Sequence, residues 1–245
     1  MSFEYLVKVP TAEEIISEMP LTKKLKTVKA KRDAEILDIF KRKSKKFIVI
    51  IGPCSADNEK AVCEYVARLA KLQSVVKSQL VLIPRIYTNK PRTTGEGYKG
   101  MAHQPDPHEK PNIVQGLKAI RRMHLRVLKE TGLTAADEML YSENYPYLED
   151  VLIYVAIGAR SVADQLHRLT VSGVDIPCGM KNPTSGDLNV MLNSVRAAQM
   201  SHTFVYNGWE ARTSGNSFAH CILRGAVNQY GQSIPNYHYE DMIRL

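Results

Sequence analysis

The run Lys46-Phe47-Ile48-Val49-Ile50-Ile51-Gly52 is continuous, rich in β-branched residues and closed by glycine, and the pattern it opens recurs down the chain. A strand that is apolar on both faces belongs in a parallel sheet covered on both sides. Residues 58–76 follow with Ala61, Val62, Tyr65, Val66, Leu69 and Leu72 at helical spacing. The unit then repeats. Strands are expected over 80–86, 133–139, 156–160, 176–181 and 219–224. Helices are expected over 113–130, 147–155, 162–170 and 188–200, with another starting at 236–245. Pro84 argues against a central position for the second strand, because proline cannot donate to a ladder. Residues 202–206 and 210–213 suit an inserted hairpin. Ahead of all this, 11–19 and 22–42 read as polar helices, with Leu25, Val28, Ile36, Leu37 and Phe40 near one stripe.

Strands alternating with helices mean an α/β fold with a parallel sheet. The expected division is a helical N-terminal extension, 1–45, and an α/β body, 46–245. About six strand–helix units would suit an open doubly wound sheet, whereas a (β/α)8 barrel uses eight. No strand is followed by GxGxxG, so a dinucleotide site has no support.

With 245 residues the chain can bury a core without disulfide or metal staples. Its 44% hydrophobic and 24% charged residues exclude a disordered or fibrous chain. Cys54, Cys63, Cys178 and Cys221 form no CxxC pair, which suits reduced thiols in the cytoplasm. No apolar run has a membrane helix's length, and the start lacks a signal-peptide core. The formal net charge is +8, which favours an anionic partner. Much of the excess lies between Leu21 and Lys46, where eleven basic residues face three acidic ones.

The chemistry is expected at the strand C-termini, where such folds build their sites. The first strand leads into Gly52-Pro53-Cys54-Ser55. The second ends in Arg85, followed by Lys90-Pro91-Arg92-Thr93-Thr94. The third ends in Asp137-Glu138, the fourth in Arg160, the fifth in Lys181-Asn182 and the sixth in Arg224. Any one of these cations alone is an ordinary surface residue. Gathered at one end, Arg85, Lys90, Arg92, Arg160, Lys181 and Arg224 would repel one another unless an anion offset them. Arginine offers a planar fork to phosphate or carboxylate and lysine a point charge. Six cations exceed the need of one phosphate, so two anionic substrates, or one with several anionic groups, fit better. Cys54 reads equally as an inert small core residue or as a thiolate ligand or nucleophile. The seven histidines show no metal-site spacing, and Met139 and Met180 read as core.

Several motifs occur in order: IGPCS at 51–55, KPRTT at 90–94, YKG at 98–100, IGAR at 157–160, QLHR at 165–168, GMKN at 179–182, TSGN at 213–216 and ILRG at 222–225. Together they resemble type I 3-deoxy-D-arabino-heptulosonate 7-phosphate (DAHP) synthase, the enzyme that opens the shikimate pathway. The resemblance implies a (β/α)8 TIM barrel that condenses phosphoenolpyruvate with erythrose 4-phosphate. It also implies a divalent metal of the Mn, Fe, Co or Zn type. By motif, Arg85, Lys90, Arg160, Lys181 and Arg224 would hold phosphoenolpyruvate, with Lys90, Lys181, Arg160 and Glu138 as the catalytic set. Arg92 and Thr93 would hold the sugar phosphate, and Cys54 would be a metal ligand. Feedback by an aromatic amino acid and a homo-oligomer are implied as well, with the N-terminal extension contributing to both.

The family's remaining metal ligands, a His, a Glu and an Asp, come from a seventh strand, an eighth strand and a later loop. This sequence stops at Leu245, after about six of eight units. The expectation is a C-terminally truncated form that binds metal weakly or not at all and is a poor catalyst or none. Three other readings compete. The relative acting on arabinose 5-phosphate is disfavoured by the full KPRTT. A catalytically impaired phosphate-binding remnant is favoured by the missing strands. Nucleic-acid binding through residues 23–46 is disfavoured because Phe40 is the only aromatic there. Neither nucleic acid nor membrane is an expected partner.

Overall fold

The computed structural model describes residues 2–92 and 94–245. Two N-terminal helices, α1 (Ala12–Glu18) and α2 (Lys23–Phe40), lead into β1 (Phe47–Ile51), α3 (Glu59–Val76), β2 (Leu80–Pro84), α4 (Ile113–Thr131) and β3 (Ala135–Glu138). A 3-10 turn (Ser142–Tyr147) precedes β4 (Leu152–Ile157), α5 (Gln165–Val171), β5 (Cys178–Lys181) and α6 (Leu188–Ala198). The hairpin β6 (Thr203–Tyr206) and β7 (Trp209–Arg212) comes next, then β8 (Ala219–Ile222). Short strands β9 (Ala226–Val227) and β10 (Ser233–Ile234) and helix α7 (Tyr239–Ile243) end the chain. No described helix is long and apolar enough to cross a membrane.

Six strands run parallel in chain order. β1 pairs with β2, an Arg85–Ala136 bridge carries β2 to β3, and β3, β4, β5 and β8 follow. A doubly wound sheet reverses order at a switch point. This order never reverses, so the open doubly wound alternative does not describe the chain.

The continuous apolar runs have two neighbours to satisfy. On β2, Val81 and Ile83 join an inner cluster with Ile36 of α2, Ile153 and Tyr154, while Leu82 joins the outer cluster under the helices. Alternation along a strand sends every second side chain the same way. Arg85 and Tyr87 therefore share the inward parity of Val81 and Ile83. Glu138 likewise follows Ala136, and Lys181 follows Gly179.

Helix α2 packs beneath the inner cluster. Its buried Arg32 donates from Nη2 to the Leu82 carbonyl at 2.8 Å. Arg121 of α4 is fully buried and clamps three parts of the chain together. It forks onto Asp150 at 2.6 and 2.9 Å and donates to the carbonyls of Tyr147 at 2.9 Å and Met19 at 3.0 Å. The helices begin where side chains cap free amides: Thr22 takes Leu25 N–H, Asn58 takes Ala61 N–H and Asn112 takes Gln115 N–H.

Three expectations need correction. Residues 147–155 are not helical: Pro146 sits in a single 3-10 turn, and Leu152–Ile157 is the strand, earlier than the expected 156–160. A short run apolar throughout fits either period, so spacing could not decide it. The next helix starts at Gln165 rather than 162, because Asp164 caps it. Pro84 does stand in a central strand. Arg85 N–H bonds to Ile51 and Ile86 N–H to Ala136, so pairing with β3 begins just past the proline and no ladder bond is forfeited.

Candidate active site

Inward parity delivers Arg85, Glu138 and Lys181 to the same end of neighbouring strands. Lys181 Nζ lies 3.5 Å from Glu138 Oε1, with side chains only 19% and 9% exposed. Burial pushes the lysine's pKa below its ordinary value; Glu138 opposes this, and the nearby charges of Arg85 and Arg224 add to it. The ammonium is thus held under strain by two like charges and relieved by one carboxylate. Gly158 makes room for that carboxylate, since a Cβ there would fall 2.2 Å from Glu138 Oε1.

Arg85 donates from Nη1 to the Pro53 carbonyl, and its guanidinium lies 3.8 Å from the centre of the Tyr87 ring. Lys181 Nζ lies 5.0 Å from the same ring. Arg224 is placed by its backbone. Its N–H donates to buried Asn182 Oδ1 at 2.9 Å, and Asn182 Nδ2 returns to the Gly225 carbonyl at 2.9 Å. One amide side chain therefore ties the end of β5 to the end of β8. The cluster is an open cradle at the strand ends; the 480 Å³ cavity lined by Lys29, Asp33 and Asp175 lies elsewhere, against α2.

Cys54 is exposed, not a core residue. Its Sγ accepts from Lys90 Nζ at 2.8 Å. That hydrogen bond, with the lysine's charge, lowers the thiol's pKa, while slight burial opposes it. Cys63, Cys178 and Cys221 are all pushed upward by burial. Alkylation by iodoacetamide should therefore select Cys54 as pH falls below the ordinary thiol range. The Lys90→Met variant should need higher pH to reach the same rate. Peptide mapping across a pH series checks this; an unmoved profile would remove Lys90 as the cause.

Arg92 is exposed and donates to the Tyr98 carbonyl within its own loop at 2.8 Å. Arg160 is exposed at the end of the segment after β4. Thr93 lies outside the described residues. Among the described residues no group of three or more His, Cys, Asp or Glu could hold a metal ion. The residues present therefore do not fit the divalent centre that the resemblance implies.

Sequence reading named Asp137 and Asn182 at strand ends without giving either a role, and it passed over Tyr87. Asp137 has the opposite parity to Glu138 and is buried. It accepts from Thr88 N–H at 2.9 Å, Thr88 Oγ1 at 2.5 Å and Glu138 N–H at 2.7 Å, and His124 of α4 lies 3.5 Å away. It anchors the start of the loop that carries Lys90. Parity along β2 and β3 was the available signal for Tyr87 and Asp137.

Comparison with known proteins gives a consistent result. Residues 18–244 match the DAHP synthetase I family. The chain is 35% identical over 237 residues to the Trp-sensitive phospho-2-dehydro-3-deoxyheptonate aldolase of Escherichia coli O157:H7, covering 95% of this chain and 66% of that protein. It is 40% identical over 209 residues to the tyrosine-inhibited aldolase of Candida albicans, covering 83% and 55%. The solved phospho-2-dehydro-3-deoxyheptonate aldolase of Francisella tularensis SCHU S4 superposes with a TM-score of 0.90 at 31% identity, covering 99% of this chain and 71% of that one. The chain thus spans just under two thirds of the first of these relatives and about half of the second. By these matches this chain belongs to the DAHP synthetase I family.

Proposed function

We propose that this chain carries the phosphoenolpyruvate-binding face of a 3-deoxy-7-phosphoheptulonate synthase. The reaction is the condensation of phosphoenolpyruvate with erythrose 4-phosphate, releasing phosphate, as the entry to aromatic amino acid biosynthesis. We further infer that its six strand–helix units are part of a (β/α)8 barrel. The observation that carries the reading is the cradle itself: Lys181 is mostly buried 3.5 Å from Glu138 and shares the Tyr87 ring with Arg85, and the charges of Arg85 and Arg224 add to the burial that disfavours its ammonium. An anionic ligand relieves that crowding.

In this reading Arg85, Arg160, Lys181 and Arg224 clamp the phosphate and carboxylate of the enolpyruvate, and Lys90 reaches in from the loop. Such a clamp orients the nucleophilic carbon and stabilises charge as the new C–C bond forms and phosphate departs. Glu138 holds Lys181 in place from the inner wall. Arg92 and Thr93 take the sugar phosphate. Calorimetric titration with phosphoenolpyruvate tests the reading, with phosphate release measured in the presence of Mn²⁺ and both substrates. Saturable binding that is lost when Arg85 and Arg224 are both replaced by Ala supports it; no binding by the unaltered chain overturns it.

An aromatic amino acid is the proposed effector, since relatives are named Trp-sensitive, tyrosine-inhibited and Phe-sensitive. A 610 Å³ cleft lies between residues 9–13, the 3-10 turn and the hairpin, and Trp209 lines it. The Tyr147 hydroxyl donates across it to the Pro10 carbonyl at 2.7 Å. Trp209 is the chain's single tryptophan, so its fluorescence should change saturably with one of tyrosine or phenylalanine and not with alanine. A flat response to both, together with no heat of binding on calorimetric titration with tryptophan, would remove the cleft as the effector site. The apolar N-terminal segment, with Phe3, Tyr5, Leu6 and Val7 largely exposed, supports a homo-oligomer.

A further inference from the structure

We infer that Tyr87 is a positioning residue for the proposed phosphoenolpyruvate site, its ring face holding Arg85 and Lys181 apart and in place before the anion arrives. The inference deepens the reading above and rests on it.

The need comes from the cradle. Two cations projecting inward from strand ends repel in a site of reduced dielectric, and side chains free to move would swing apart into water. A second carboxylate would hold them but would also repel an anionic substrate. A neutral aromatic face attracts cations through its quadrupole and carries no net charge to oppose the ligand.

Tyr87 meets the geometric requirement. The Arg85 guanidinium lies 3.8 Å, and Lys181 Nζ 5.0 Å, from its ring centre, both inside the range of a cation–ring attraction. The residue is almost fully buried. Its carbonyl accepts from Ala56 N–H at 2.9 Å, which fixes it to the loop after β1. The ring is therefore a rigid surface shared by two strands. Burial also pushes its phenol up to about 12, so it stays neutral near pH 7.

The test separates ring from hydroxyl and from bulk. Tyr87→Phe keeps the face, Tyr87→Leu removes it, and Tyr87→Met replaces its volume with a flexible thioether. Titration calorimetry with phosphoenolpyruvate, and separately with inorganic phosphate, is run on each, beside thermal melts. The phenylalanine variant should bind within about twofold of the unaltered chain. The leucine and methionine variants should stay folded and bind about tenfold more weakly, as expected for losing a desolvated cation–ring contact. A methionine or leucine variant that binds as tightly as the unaltered chain overturns the inference and leaves the phosphoenolpyruvate reading standing. So does a phenylalanine variant as weak as the leucine one. Absence of binding by the unaltered chain overturns that reading and this inference together.

Discussion

Asp150→Ala is expected to lower the thermal midpoint on the order of 10 °C, because it leaves the Arg121 guanidinium buried without its counter-charge. Arg121 is fully buried, and its two donors to Asp150 are short and parallel. Breaking such a pair from one side costs about 3–5 kcal/mol. That is a large share of the roughly 5–15 kcal/mol that holds a native domain together. For a chain of this size each kcal/mol moves the midpoint by about 2–4 °C. Removing the cation instead should be gentler: Arg121→Met keeps most of the volume, the carbonyls of Met19 and Tyr147 lose a donor, and the Asp150 carboxylate that is left unpaired is 29% exposed and can take water. The combined Arg121→Met, Asp150→Leu chain should recover much of the loss. Melts followed by circular dichroism decide the order of the three. Equal losses for both single variants would mean that packing, not charge, makes Arg121 matter.

Lys181→Met should weaken phosphoenolpyruvate binding about a hundredfold or more, measured by calorimetry on protein that thermal melts show to be folded, since Glu138 also loses its buried partner. Two effects add. In the proposed site a direct charged hydrogen-bond donor to the anion disappears, which alone is worth about 1.5–3 kcal/mol. Glu138, with its side chain 9% exposed, then faces the incoming anion without its ammonium partner and repels it. Replacing Glu138 by Gln in the same chain should restore part of the affinity, because the repulsion goes with the charge. If Lys181→Met alone binds within about threefold of the unaltered chain, Lys181 is not in the cradle's working set.

The strand and helix sequence was legible where runs were long and bounded. Residues 47–51 and 80–84 read as strands and are strands, although β1 lies at an edge and is not covered on both sides as expected, with Phe47 70% exposed. Residues 142–157 were not, because a proline-bearing 3-10 turn and a six-residue apolar strand leave no periodicity to read. Strand order was out of reach as well: counting six units cannot tell an order that runs straight on from one that reverses. Within the site, the cations at strand ends could be named because strand ends are where such folds act. What ties them together could not. Tyr87, just past the expected strand, drew no reading, and its distances to Arg85 and Lys181 are what give it a meaning. Asp137, Thr88 and His124 meet across three elements, which no spacing rule anticipates. Cys54 was balanced between core and surface, and the structure puts it in the open beside Lys90.

The place of α2 has a consequence for how this chain comes to be folded. Ile36 is part of the inner cluster with Ile153 and Tyr154, and Arg32 caps a carbonyl on β2. Pro10 receives its hydrogen bond from Tyr147, 137 residues later. During synthesis Pro10, Arg32 and Ile36 therefore emerge before the partners that will cover them, and wait while β2 to β4 are made. Contacts this distant carry a heavy loop-closure cost and mature late. Helix α2 is thus expected to find its place late, and the eleven lysines and arginines between Leu21 and Lys46 keep that stretch soluble in the interval.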